Sequence, residues 1–372
     1  MIILRTVVSA FTLGVMLVSL ISAQTQDITK ADSSDALRCP SARGYAAMVY
    51  DESASIAYLF GGIDKTSPNL DYPLFDLWSY HSLTQRWKLL WNSDTLYNAF
   101  QHDAAAIDPQ SKQIVLFSTF VNCKGGGAES CGVETWIYDI RLNTFTNVTS
   151  GTEPSLRWGS RMAYDTESRR AILFGGSDGR TVRTLCDTWV FDFAANTWTQ
   201  MSSAVNPPPH HFAAMIYQPK ADRVILFGGY NIQDSAVLND TWAYDYNTNT
   251  WANLSPRTAP PPRVYHAMAW DSISNRVILF GGVSRLYEPV LNDTWAYDYE
   301  QNTWKKFTPK AHPSARAWHV MVSAPPGVLL FGGSSKHDPS TYNDTWIYDY
   351  KSDQWNEVSP CKKSSEEGVF KR

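Results

Sequence analysis

Four arginines stand at matching places along the chain, Arg43, Arg157, Arg263 and Arg316, with Phe100 and His210 at two further matching places. A guanidinium reads a carboxylate bidentately, so a ring of these residues could grip an anionic sugar or an acidic peptide. An acid also recurs downstream, as Asp76, Glu134, Asp187, Asp240, Asp293 and Asp344. Pairing of each arginine with its acid is the structural alternative, and the expected one. Histidines invite a metal reading, because His210 and His211 are adjacent and His102, His266 and His319 fall nearby in their repeats. His266 and His319 share one repeated place, however, which points to framework hydrogen bonding. No metal and no cofactor is expected. Arg180, Arg183, Arg285, Tyr230 and Tyr287 fall outside the repeated pattern, so the fold does not demand them and they are better candidates for ligand contact.

The elements that position these groups are written as six copies of one unit. An aromatic pair marks each copy: Trp78/Trp87, Trp136/Phe145, Trp189/Trp198, Trp242/Trp251, Trp295/Trp304 and Trp346/Trp355, always 9 residues apart. First members are separated by 58, 53, 53, 53 and 51 residues. A period near fifty means supersecondary units that bury a core by stacking.

The fifth copy reads as four short strands. Residues 263–271 form a first strand, and the apolar run 276–282 a second that is stopped by Gly281-Gly282. Residues 292–299 and 302–307 supply the third and fourth. Paired glycines recur in every copy but the second, which has Ser118-Thr119. They suit a strand end that needs positive φ or close backbone approach. The Gly-Gly after an apolar strand, the downstream Tyr-Asp and the aromatic pair resemble kelch repeats of the galactose oxidase central-domain-like superfamily. The resemblance implies an all-β fold: a six-bladed kelch β-propeller with four antiparallel strands per blade, over 43–358. Blades are expected at 43–90, 98–148, 157–201, 210–254, 263–307 and 316–358, each ending on its own fourth strand.

Antiparallel order sends the long, dissimilar second-to-third loops (63–75, 121–133, 177–186, 230–239, 283–292 and 334–343) and the blade-to-blade connections to one face. The short turns lie on the other. Varied loops on a rigid scaffold usually carry function.

Outside the repeats, residues 1–23 read as a signal peptide, with Arg5, the apolar stretch 7–21 and a small-residue site at Ser22-Ala23. A secreted protein is expected, or a periplasmic one in a bacterium, with no membrane association after cleavage. A lead-in, 24–42, and a charged tail, 359–372, flank the propeller. Cys39 and Cys361 bracket the ring and could clasp it, a closure worth on the order of 5 kcal/mol by loop entropy. Cys123 and Cys131 could staple one loop, which leaves Cys186 over. Asn147 is the best glycan acceptor among the sequons, since Asn239, Asn292 and the equivalent Asn343 belong to a repeated Asn-Asp-Thr turn. Net charge is −4, which gives no reason to expect nucleic acid as a partner.

The expected function is a secreted, monomeric binding module whose loop-rich face takes a protein or glycan partner. The alternative is a sugar-modifying enzyme resembling exported sialic-acid mutarotases or galactose-oxidase-like proteins. The residues offer no convincing acid/base set for it, and the balance is against an enzyme. A purely structural component has nothing positive in its favour.

Overall fold

The computed structural model describes residues 39–64, 72–92, 104–121, 131–285, 289–335 and 341–358. Every regular element among them is β, and the strands form six four-stranded antiparallel sheets. In each sheet the four strands run in order of sequence, so no strand is lent from one terminus to the other. Each innermost strand packs on the innermost strands of both neighbours. Ala47–Asp51 of the first sheet touches both Ala104–Asp108 and Val320–Ala324, and the circle closes as a six-bladed propeller.

Blade five shows why these residues make these strands. Arg276–Phe280 pairs with Ala267–Asp271 on one side and Thr294–Asp298 on the other. It is apolar on both faces because each face packs against another blade. The first strand is shorter than the sequence implies. It begins at Ala267 rather than at residue 263, because Tyr265 adopts φ +58° and interrupts the extended run. The glycine pair behaves as expected. Gly281 and Gly282 have φ of +63° and +93°, and an added Cβ would lie 2.6 Å from the Arg316 carbonyl oxygen and 2.6 Å from that of Val264.

The Tyr-Asp motif belongs to the tight turns. Asp298 at the strand end accepts the Gln301 N–H, while the Tyr297 hydroxyl donates to Oδ1 of Asn302 at 2.7 Å. Asn302 sits in the left-handed region, φ +48°, where asparagine is tolerated. The same Tyr-to-turn bond recurs in Tyr138–Asn143, Tyr244–Asn249 and Tyr348–Asp353.

The two aromatics nine apart have different jobs. The first donates its indole N–H to the acid of its own blade, as Trp295 does to Asp293 at 2.7 Å. The second reaches the preceding blade: Trp198 to Thr135, Trp251 to Thr188, Trp304 to Thr241 and Trp355 to Thr294, all between 2.9 and 3.1 Å. Trp87 closes the ring by donating to Thr345 of the last blade at 3.1 Å. Gly333 N–H to Arg43 carbonyl, 2.8 Å, seals the same junction. One junction departs from the rule. Blade one carries Leu77 where the others carry threonine, and blade two carries Phe145 where the others carry tryptophan. Donor and acceptor are absent together, and both residues join one apolar cluster.

Candidate functional site: the loop-bearing face and the central channel

The four repeated arginines are framework. Arg263 donates from Nη1 and Nη2 to the two Asp293 oxygens at 2.8 and 2.9 Å, from Nη1 to the Gly281 carbonyl, and from Nε to Pro261. Arg43 binds Asp76, Gly61 and Ser41, and Arg157 binds Asp187, Gly175 and Ser155. Every guanidinium N–H of these two has an acceptor. Arg316 repeats the pattern on Asp344 and Gly332. All four side chains are wholly buried. An external anion would have to displace a bonded carboxylate from any of them. Burial alone would raise the Asp187 and Asp293 carboxyls, yet the paired arginines and the indole N–H groups hold both below the ordinary value.

His210 takes the arginine's place in blade four. Its Nδ1 meets the Gly228 carbonyl at 2.7 Å, and its Nε2 lies 3.5 Å from Asp240, a longer and weaker copy of the same link. His211 bonds the Tyr230 carbonyl through Nδ1 at 2.9 Å, and burial pushes it down to about 4. Tyr230 is itself buried, packed with Val264, Val283 and Ala317, so its ring is part of the wall rather than offered to solvent. Arg180, Arg183 and Arg285 are exposed on the loop-bearing face, and among the described residues none of them pairs with a carboxylate. Tyr287, Cys123 and Cys361 lie outside the described residues, and of Cys131 only the backbone is described. Cys39 is not a free thiol, and among the described residues no two cysteines form a disulfide. Cys186 is free and half-buried, and burial raises its thiol. Asn147 is exposed at the end of its strand, with its side-chain Oδ1 accepting the Thr149 N–H.

No signal in the sequence reading singled out the centre of the ring. A cavity of about 150 Å³ lies there, lined by the innermost strands of all six blades. Its mouth carries Tyr45, Gly159, Phe212, Tyr265 and Trp318, one per blade at one repeated place, and all have left-handed φ between +55° and +65°. Backbone bonds run from each to the one before it: Tyr45 to Trp318, Trp318 to Tyr265, Tyr265 to Phe212, and Phe212 to Gly159, at 2.9–3.2 Å. The rings pack against one another in the same order, tilted by 31–45°, with centroids 4.5–5.5 Å apart. A Cβ on Gly159 would fall 2.6 Å from the Phe212 ring, so glycine there lets Phe212 lean inward.

Below the collar stands Arg161. The same place in the other blades holds Ala47, Ala104, Ala214, Ala267 and Val320, and that contrast was available in the sequence. Arg161 donates Nε to the Ala213 carbonyl at 2.7 Å and Nη1 to the Ser160 carbonyl at 3.3 Å. Among the described residues no carboxylate meets it. Solvent reaches it partly while it lies deep within the ring, as a channel wall should. Burial draws its guanidinium down to about 10, still charged at neutral pH. His266 and His319 also line the cavity, with no hydrogen bond of normal geometry at either ring nitrogen. Burial, with Arg316 beside it, pushes His319 to about 3, and burial with Arg263 and Arg161 pushes His266 well down. Both are neutral at physiological pH. A cation is disfavoured here, because the one charge among the described wall residues is positive.

On the opposite, turn-bearing face Asp165, Glu167 and Asp222 bring carboxylate oxygens within 4.8 Å of one another. The Asn247 amide donates to both Glu167 and Asp222, at 2.9 and 3.0 Å.

With the fold and channel described, relatives can be placed. The family profile described as the KLHDC2/KLHL20/DRC7 Kelch-repeats domain matches residues 16–216, 111–322 and 163–369. The chain belongs to the Kelch-repeat family, a class of propellers that generally serve as protein-interaction modules. It is similar to a putative adagio-like protein 2 of Oryza sativa subsp. japonica, 28% identical over 228 residues, which are 57% of this chain and 34% of that protein. It is also similar to Kelch domain-containing protein 10 of Xenopus tropicalis, 25% identical over 317 residues, 80% of this chain and 72% of the relative. The Bos taurus protein of the same name is 25% identical over 74% of this chain and 63% of its own length. The chain thus spans about a third of the adagio-like relative and roughly two thirds or more of the others.

Proposed function

We propose that this protein is an exported binding module that docks a protein partner on its loop-bearing face. One contrast carries the reading. Each repeated arginine is forked onto a carboxylate of its own blade, whereas the guanidinium groups of Arg180, Arg183 and Arg285 stand exposed on the variable loops and form no ion pair among the described residues. Arginine is enriched where protein interfaces gain most of their energy, and an exposed unpaired one is free to meet an acidic partner. Export rests on the charged, then apolar, then small-residue pattern of residues 1–23. A glycan occupant would use the same face.

The test is crosslinking capture from the host's extracytoplasmic fraction, with Arg183→Ala and Arg180→Ala compared with Arg263→Ala. Loss of capture with the loop variants at unchanged Tm supports docking there. Arg263→Ala should lower Tm and leave capture by the folded fraction intact. Capture indifferent to both loop arginines, with a saturable thermal shift on a sugar, replaces the protein partner with a glycan.

A further inference from the structure

The channel is a built site that the docking face does not use. Its mouth is an arc of four stacked aromatic rings held in a backbone conformation that side chains other than glycine adopt only at a cost. Such strain persists where the surroundings impose it, and here a chain of backbone bonds from blade to blade does so. Beneath the arc Met48, Met162, Met215, Met268 and Met321 recur at one place on five innermost strands, beside polar backbone and side-chain groups of the same wall. Into this space projects the cation Arg161, whose Nη2 meets no acceptor and whose charge meets no carboxylate among the described residues. A desolvated guanidinium without a counter-charge is costly to keep. Its position is not demanded by the repeat, because alanine or valine suffices in every other blade.

We propose that the central channel binds a small carboxylic acid with an apolar body, its carboxylate on Arg161 and its body against the rings of Phe212, Tyr265, Trp318 and Tyr45. A carboxylate matches the fork of the guanidinium and supplies a counter-charge that no described residue provides. A purely inorganic anion would make no use of the aromatic rings and methionines that surround the space. The cavity of about 150 Å³ is about the size of one that holds a benzene molecule, which suits a small organic acid. This site is independent of the protein-docking reading, and either can fail alone.

Calorimetric titration of the full chain with benzoate, benzamide and sulfate tests it, with the change in intrinsic tryptophan fluorescence that is lost in Trp318→Phe as a second readout. Benzoate should bind saturably, and benzamide, which has the ring without the charge, should bind about ten- to a hundred-fold more weakly. Arg161→Ala, which installs the residue found at the same place in four other blades, should weaken benzoate by a similar factor. Arg161→Gln, which keeps a donor for the Ala213 carbonyl, serves if the alanine variant is unstable. The wild-type comparison of benzoate with benzamide stands without either variant. Absence of saturable benzoate binding overturns the proposal. So does benzamide or sulfate binding as tightly as benzoate, or benzoate affinity that survives loss of the Arg161 charge.

Discussion

At the scale of single residues, a buried charge in this protein is either fully partnered or informative. Arg43, Arg157, Arg263 and Arg316 are partnered, and their pairing with the recurring acid could be expected from the chain because both partners repeat at the same period. His210 is the exception: it cannot make the fork, and its contact with Asp240 stretches to 3.5 Å. His210→Arg should restore the bidentate link that four other blades have and raise stability by about 0.5–2 kcal/mol, read as an increased Tm. Acid should act first through the buried histidines. His211 and His319 titrate in the folded protein at about 4 and about 3, below the ordinary 6.5. The unfolded chain therefore takes up their protons first as pH falls below 6.5, and stability should decline from there toward pH 4, by up to roughly 1.4 kcal/mol per pH unit for each histidine. The depressed carboxyls Asp187 and Asp293 act in a lower window. Their stabilisation is intact above the ordinary carboxylate value of 3.8 and is lost only as pH drops through their lowered folded values. Thermal melts between pH 7 and 5 should slope downward for the wild type and less steeply for His319→Asn.

Among elements, the junctions between blades are where local pattern meets tertiary contact. Strand number, strand order and the glycine stops were legible, because each depends on residues within one repeat. The start of the first strand was not, because the left-handed residue before it, Tyr265 in blade five, is held by a backbone bond to the neighbouring blade. The nine-residue aromatic spacing was plain, while the division of labour between its two members needed the neighbour to be in view. The paired departure at Leu77 and Phe145 follows from the same bond. Leu77→Thr alone buries an unpaired hydroxyl, and Phe145→Trp alone an unpaired indole N–H, each at a cost of about 1–3 kcal/mol. Together they should recreate the Trp–Thr link of the other junctions. A double-mutant cycle by denaturant unfolding should therefore show favourable coupling of about 1 kcal/mol or more, and additive losses would refute the assigned role of that bond.

For the molecule as a whole, the question is how a ring of whole blades stays closed. The last junction has the same interblade bonds as the others, Trp87 to Thr345 and Gly333 to Arg43, but no shared strand. We expect a Cys39–Cys361 clasp to supplement it. Non-reducing peptide mapping should recover that pair, and reduction should lower Tm. Recovery of Cys361 as a free thiol would leave closure to the hydrogen bonds alone. Blade count, strand pattern and the arginine–acid framework were determined by the sequence itself, because the repeat forces the same local solution in each copy. Ring closure decided the rest. It gathers one residue from each of six distant segments around a single axis, and only there do the aromatic arc and Arg161 become neighbours.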